Sequence, residues 1–227
     1  MLRAIIFDFD GVIADSEPVH FVVFQHVLGE VGFSLSKDEY YAQYLGCDDR
    51  GCFSQFLTAR GQSPSPALLD DLVRRKSVVY LTHIKQHLVI FPGVREFVRQ
   101  AAAGRRLAIC SGALRHEIEV ILSAADIRMK FQHITSAEDV CAGKPDPEGF
   151  LHALHSLNDT VKGTELDAAE CLVIEDSIPG IRGARAAGMT VLAVANTHPE
   201  HELKEADLVV QSLLDVRLPD IERRFFS

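Results

Sequence analysis

From residue 88 onward the sequence alternates short apolar runs with helical stretches, and that alternation restricts the fold more than any other feature. Leu107-Ala108-Ile109-Cys110, residues 131–135, Cys171-Leu172-Val173-Ile174, residues 190–195 and residues 207–211 read as strands. Helices are expected between them over 94–103, 114–125, 148–157 and 178–187. Apolar runs without polar alternation belong to strands buried on both faces. Strands separated by helices build βαβ units and hence a parallel sheet. Ala4-Ile5-Ile6-Phe7, within a strand expected over 2–9, has the same character and cannot stand alone, so it joins that sheet. Residues 16–87 carry a different pattern, helical and without a convincing strand. Val19, Val23, Val27 and Val31 recur every fourth residue, with Phe24 and Leu28 beside them. Ser36-Lys37-Asp38-Glu39 is a capping box that opens a second helix, expected to stop near Gly46. A third helix is expected over 49–59. A fourth runs from Pro66 to about residue 87, with Leu68, Leu69, Leu72, Val73, Val79 and Leu81 on its apolar side. The expected organisation is an α/β core, residues 1–15 and 88–227, into which a helical domain, 16–87, is inserted just after Asp10.

The core strands end on reactive groups. In a parallel α/β sheet ligands bind outside the carboxyl ends of the strands. Asp8 and Asp10 close the first strand, Ser111-Gly112 the second, Lys144 lies in the loop near the third, and Glu175-Asp176 close the fourth. Taken singly these are weak signals. A serine after a strand usually caps a helix, a lysine is usually solvated, and acids before a helix usually complement its dipole. Four such groups at successive strand ends are hard to explain as four separate caps. In an extended stretch Asp8 and Asp10 project from the same side. Close like charges need a cation or a shared proton, and Mg²⁺ is the hard, oxygen-seeking choice. The chemistry suits phosphoryl transfer. Asp8 can attack phosphorus, and Asp10 can protonate the leaving oxygen and then accept a proton. Asp8, the Asp10 carbonyl and Asp176, with Glu175 alongside, can hold Mg²⁺. Lys144, the Ser111 hydroxyl and the Gly112 N–H can hold the phosphoryl oxygens.

Composition removes several other classes. Lys+Arg 23 against Asp+Glu 32 gives a net charge of −9, which does not support a basic nucleic-acid footprint. No apolar stretch approaches a membrane span, and Asp8 and Asp10 interrupt the first apolar run well short of a secretory signal. The five cysteines are odd in number and contain no C-x-x-C, so neither a disulfide framework nor a zinc site is expected, and a reduced cytoplasm fits. Gly180, Gly183 and Gly188 lack dinucleotide-binding spacing, and Ser111 is not in a G-x-S-x-G elbow.

Phe7-Asp8-Phe9-Asp10-Gly11-Val12, Cys110-Ser111-Gly112, Gly143-Lys144-Pro145-Asp146-Pro147 and Ile174-Glu175-Asp176-Ser177 resemble, in order, the four motifs of the haloacid dehalogenase superfamily. The insertion after the first motif resembles the group with an α-helical cap. The resemblance implies a Rossmann-like core, Mg²⁺ and an aspartate nucleophile at Asp8. True dehalogenases of the family lack an acid at the place of Asp10, whereas its phosphoryl-transfer members have one. Two branches are similar to this chain, the phosphatases of small metabolites and β-phosphoglucomutase. Ser16 and His20, in Asp-Ser-x-x-x-His, suit both branches. Arg50 and Lys76 lie roughly where the mutase places substrate-contacting cations. By residue chemistry alone, Arg74-Arg75-Lys76 reads as a solvated face. The expected activity is Mg²⁺-dependent hydrolysis of a small phosphorylated metabolite through an aspartyl-phosphate. A phosphosugar mutase is the alternative. A non-catalytic phospho-aspartate receiver is a third possibility, but it would need neither the cap nor Asp10. Neither nucleic acid nor membrane is an expected partner, and a monomer or weak dimer is expected.

Overall fold

The computed structural model describes residues 1–45, 47–87, 89–160 and 165–226. Gly46 and Leu88, where a helix end and a domain boundary were expected, lie outside them. The chain divides into two compact units, Met1–Ala14 with Ile90–Ser227, and Asp15–Val89.

In the first unit the apolar runs form strands β1 (Ala4–Phe7), β2 (Arg106–Cys110), β3 (His133–Thr135), β4 (Cys171–Glu175), β5 (Thr190–Val194) and β6 (Leu208–Val210). They form a six-stranded sheet in the order β3-β2-β1-β4-β5-β6, parallel throughout. Successive side chains of β1 pack on opposite faces. Ala4 and Ile6 join one apolar cluster with Phe150, Leu157, Ile181 and Ala184. Phe7 meets Phe97 and Phe131 edge-on at 6.0 and 5.6 Å. Burial on both faces explains the unbroken apolar run, each large side chain contributing about 1.5–3 kcal/mol. The strand order reverses direction at β1, so the loops after β1 and β4 flank the crevice where such sheets bind ligands.

The sheet's helices are α5 (Val94–Ala102), α6 (Arg115–Ala124), α7 (Glu148–Thr160), α8 (Ile178–Ala186) and α9 (Leu218–Phe225), counting the second unit's four helices as α1 to α4. α7 extends three residues beyond its expected end at residue 157. α9 was not anticipated; Pro219 in its first turn reads locally as a break, and burial of Leu218 and Ile221 against the core defines it.

In the second unit α1 (Glu17–Glu30), α2 (Lys37–Gln43), α3 (Asp49–Ala59) and α4 (Pro66–His87) supply the helices, with no strand among the described residues. Ser36 caps α2 by accepting the Glu39 N–H at 3.2 Å, and Asp48 caps α3 by accepting the Gly51 N–H at 2.8 Å. The buried stripe of α4 differs from the expected one. Leu69, Leu72, Lys76, Ser77, Tyr80 and Ile84 are buried, whereas Leu68 is exposed. Positions 72, 76, 80 and 84 repeat every fourth residue, which places Lys76 inside and corrects its assignment to a solvated run.

Candidate active site

Asp8 continues the β1 ladder by donating its N–H to the Ile174 carbonyl at 2.8 Å, which fixes the carboxylate at the strand end. The chain then turns at Gly11, φ +77°, where a Cβ would overlap the Asp176 carboxylate. From the loop before α7, Lys144 reaches between two acids. Its Nζ lies 2.8 Å from Asp8 Oδ1 and also pairs with Glu175 Oε1. Glu175 is fully buried, and its other oxygen accepts the Asp176 N–H (3.0 Å), the Ser177 N–H (3.1 Å) and the Ser177 hydroxyl (2.9 Å). Ser177 in turn accepts the Gly180 N–H at 3.1 Å, so the α8 cap and the Glu175 anchor are one network. Asp176 accepts a hydrogen bond from Thr197 Oγ1. Asp10 is half-buried, and its charge adds to the field on Asp8.

Ser111 is buried at the end of β2; its N–H donates to the Thr135 carbonyl at 3.0 Å and its Oγ accepts the Ala113 N–H at 3.1 Å. Gly112 is exposed beside it. Ser111 and Gly112 thus end β2 at the same sheet edge that carries Asp8, Glu175 and Asp176.

Carboxylate oxygens of Asp8, Glu175 and Asp176 lie within 4.8 Å of one another. Lys144 contacts two of these three buried acids, Asp8 and Glu175, so the cluster is short of positive charge. Burial, then the Glu175 charge, push Asp8 up to about 7, against the pull of Lys144. Burial and the charges of Asp8 and Glu175 hold Asp176 well above the usual carboxylate range, against the Thr197 hydrogen bond. Burial acts to lower Lys144, but the Asp8 and Glu175 charges outweigh it and hold the ammonium charged. The donor set is hard oxygen and its deficit is cationic, which fits a divalent ion such as Mg²⁺. Both Glu175 oxygens are already engaged, so Asp8 and Asp176 are better disposed to ligate, and Glu175 holds Lys144.

The second unit gathers its own polar cluster. Lys76, fully buried, sets Nζ 2.7 Å from His20 Nδ1 and 2.6 Å from Asp49 Oδ1. The ammonium lies 4.8 and 5.1 Å from the Tyr80 and Phe24 ring centroids. Arg50 is outside this cluster, half exposed and paired with Asp70. Sequence reasoning missed Asp49, Asn196 and Thr197. The strand-end rule, extended to the fifth strand, points to Asn196 and Thr197; for Asp49 no local signal exists.

The sequence profile of the haloacid dehalogenase-like hydrolases matches residues 5–194. The chain belongs to this family. Among its curated relatives is protein CbbY of Rhodobacter capsulatus, 31% identical over 227 residues, covering 97% of this chain and 94% of that protein. Hexitol phosphatase B of Escherichia coli is 27% identical over 226 residues, covering 97% and 96%. The crystal structure of β-phosphoglucomutase from Clostridium difficile superposes with a TM-score of 0.86 at 24% identity, covering 99% of this chain and 97% of that one. This haloacid dehalogenase-like hydrolase therefore has phosphatase and phosphomutase relatives and shares their Rossmann-like fold. No described helix is long and apolar enough to cross a membrane.

Proposed function

We propose that this haloacid dehalogenase-like hydrolase is a Mg²⁺-dependent phosphatase of a small phosphorylated metabolite, a sugar phosphate or similar phosphomonoester. The observation that carries the proposal is the Asp8 carboxylate beside Lys144 and within 4.8 Å of Glu175 and Asp176. An Asp8 oxygen attacks phosphorus as the bond to the ester oxygen breaks, and Asp10 gives that oxygen its proton. Water then attacks the aspartyl-phosphate, Asp10 takes the water's proton, and inorganic phosphate leaves with Asp8 regenerated. Lys144, the Ser111 hydroxyl and the Gly112 N–H hold the phosphoryl oxygens. Asp8, the Asp10 carbonyl and Asp176 would hold Mg²⁺, which supplies charge neutralisation for two anions that otherwise repel. Asp8 must be ionised to attack, and the ion favours that form.

Within the helical unit, His20 and Lys76 form the polar centre, and Asp49 holds the lysine. Arg50, exposed and paired with Asp70, is the helical unit's further candidate for a substrate-contacting cation. A mutase would use the same core groups, with a sugar hydroxyl in place of water. The test is incubation with Mg²⁺ and a panel of phosphorylated metabolites, including β-glucose 1-phosphate with a bisphosphate activator. Inorganic phosphate released over many turnovers supports the phosphatase. Glucose 6-phosphate formed without phosphate release replaces it with the mutase. No turnover of any member by folded protein refutes both.

A further inference from the structure

Directly after β5, two consecutive side chains grip two different acid-bearing loops. Asn196 Nδ2 donates to the Gly11 carbonyl at 2.7 Å, on the turn that follows Asp8 and Asp10. Thr197 Oγ1 donates to Asp176 Oδ2, on the loop that follows β4. The three loops meet closely. A Cβ at Gly11 would overlap the Asp176 carboxylate and come within 2.7 Å of Thr197 Oγ1. Asn196 is itself fixed, its N–H donating to the Val194 carbonyl at 2.9 Å.

We propose that Asn196 and Thr197 are positioning residues that hold the Asp10–Gly11 turn and the Asp176 carboxylate at the spacing a divalent cation requires. The proposal rests on the Mg²⁺ assignment above. A carboxylate with two free oxygens can rotate and bind a metal through either one or both. A hydroxyl that engages Oδ2 selects one rotamer and leaves Oδ1 to the ion. Outer hydrogen-bond partners of this kind orient metal ligands and tune their affinity. The Asn196 contact acts on the other side of the site. By holding the Gly11 carbonyl it pins the Gly11–Val12 peptide, one step past Asp10, while the Asp10–Gly11 peptide is held by the Gly11 N–H donating to the Ala14 carbonyl at 2.9 Å; together they fix the turn that carries the Asp10 carbonyl.

The experiment is calorimetric titration of the metal-free protein with MgCl₂, comparing wild type, Thr197→Val and Thr197→Ser. Valine keeps the shape and removes the donor; serine keeps the donor. Thr197→Val is expected to weaken Mg²⁺ binding about 10- to 100-fold, and Thr197→Ser to retain wild-type affinity. Circular dichroism in EDTA checks the fold, and Thr197→Ala replaces the valine variant if that one does not fold. Equal Mg²⁺ affinity in wild type and a folded hydroxyl-free variant overturns the positioning role and leaves the Mg²⁺ assignment standing. No Mg²⁺ binding by wild type overturns both. Loss of fold in both hydroxyl-free variants makes Thr197 a structural residue and also overturns the role.

Discussion

Asp8→Asn should stabilise the metal-free protein while ending turnover. Burial and Glu175 move Asp8 from 3.8 to about 7. In the unfolded chain the group ionises near its ordinary value, so between these two limits the folded protein binds the extra proton. Stability therefore falls as pH rises through that window and levels off above about 7. At about 1.4 kcal/mol per pH unit, ionised Asp8 costs the metal-free fold about 4 kcal/mol. Asparagine imitates the neutral acid at every pH. It still offers Lys144 an oxygen, and Lys144 keeps Glu175. The advantage of the variant should be about 4 kcal/mol at pH 8 and about 2 kcal/mol at pH 5. Against a total stability of about 5–15 kcal/mol this is large. For a chain of this size it corresponds to a rise in Tm of about 8–16 °C at pH 8. The assay is thermal unfolding by circular dichroism in EDTA at both pH values, repeated with Mg²⁺. Mg²⁺ should raise the wild-type Tm at pH 8 and narrow the gap. An asparagine variant that melts at or below wild type in EDTA at pH 8, or a gap that does not widen from pH 5 to pH 8, would falsify the claim that burial and neighbouring carboxylates outweigh Lys144 at Asp8.

Other substitutions test the supporting residues. Lys144→Met removes the ammonium 2.8 Å from Asp8, and kcat in a phosphate-release assay should fall about 10²- to 10³-fold. Gly180→Ala drives a methyl into the Glu175 carboxylate and should cost about 1–3 kcal/mol in urea unfolding; an unchanged midpoint would mean the network can shift aside. Asp49→Ala leaves the fully buried Lys76 without the carboxylate 2.6 Å away and should cost about 3–5 kcal/mol. Arg50→Ala, next door on the exposed Asp70 pair, should cost less than about 1 kcal/mol in the same measurement.

The strands and the strand-end groups were legible because both are local in sequence. A strand buried on both faces must be apolar for its whole length, and the residue after its last rung must stand at the sheet edge. Asp8, Ser111 and Asp176 directly follow the strands β1, β2 and β4, as this rule expects, and Lys144 lies in the longer loop after β3. Lys76 was misread because Arg74-Arg75-Lys76 has the composition of a wet face. Only the rotation of α4 decides which of the three points inward, and that rotation is set by what packs against Leu69, Leu72, Tyr80 and Ile84. α9 was missed for a related reason, since eight residues with a proline near the start show their amphipathic face only beside the core that buries it.

By itself the sequence determined the α/β class, the helical segment between two parts of the core, and the line of reactive groups along one sheet edge. Tertiary structure decided the work of each group. Glu175 and Asp176 are neighbours of the same chemistry, yet one is saturated by Lys144 and three donors while the other takes the Thr197 hydroxyl. Asn196 and Thr197 lie about 20 residues or more from every acid they serve and act only because β1, β4 and β5 end side by side. The periodicity that makes a strand is carried by adjacent residues. The field at a carboxylate is summed over every charge and donor nearby, including Lys144, Asp8 and Thr197, which distant segments of the chain supply.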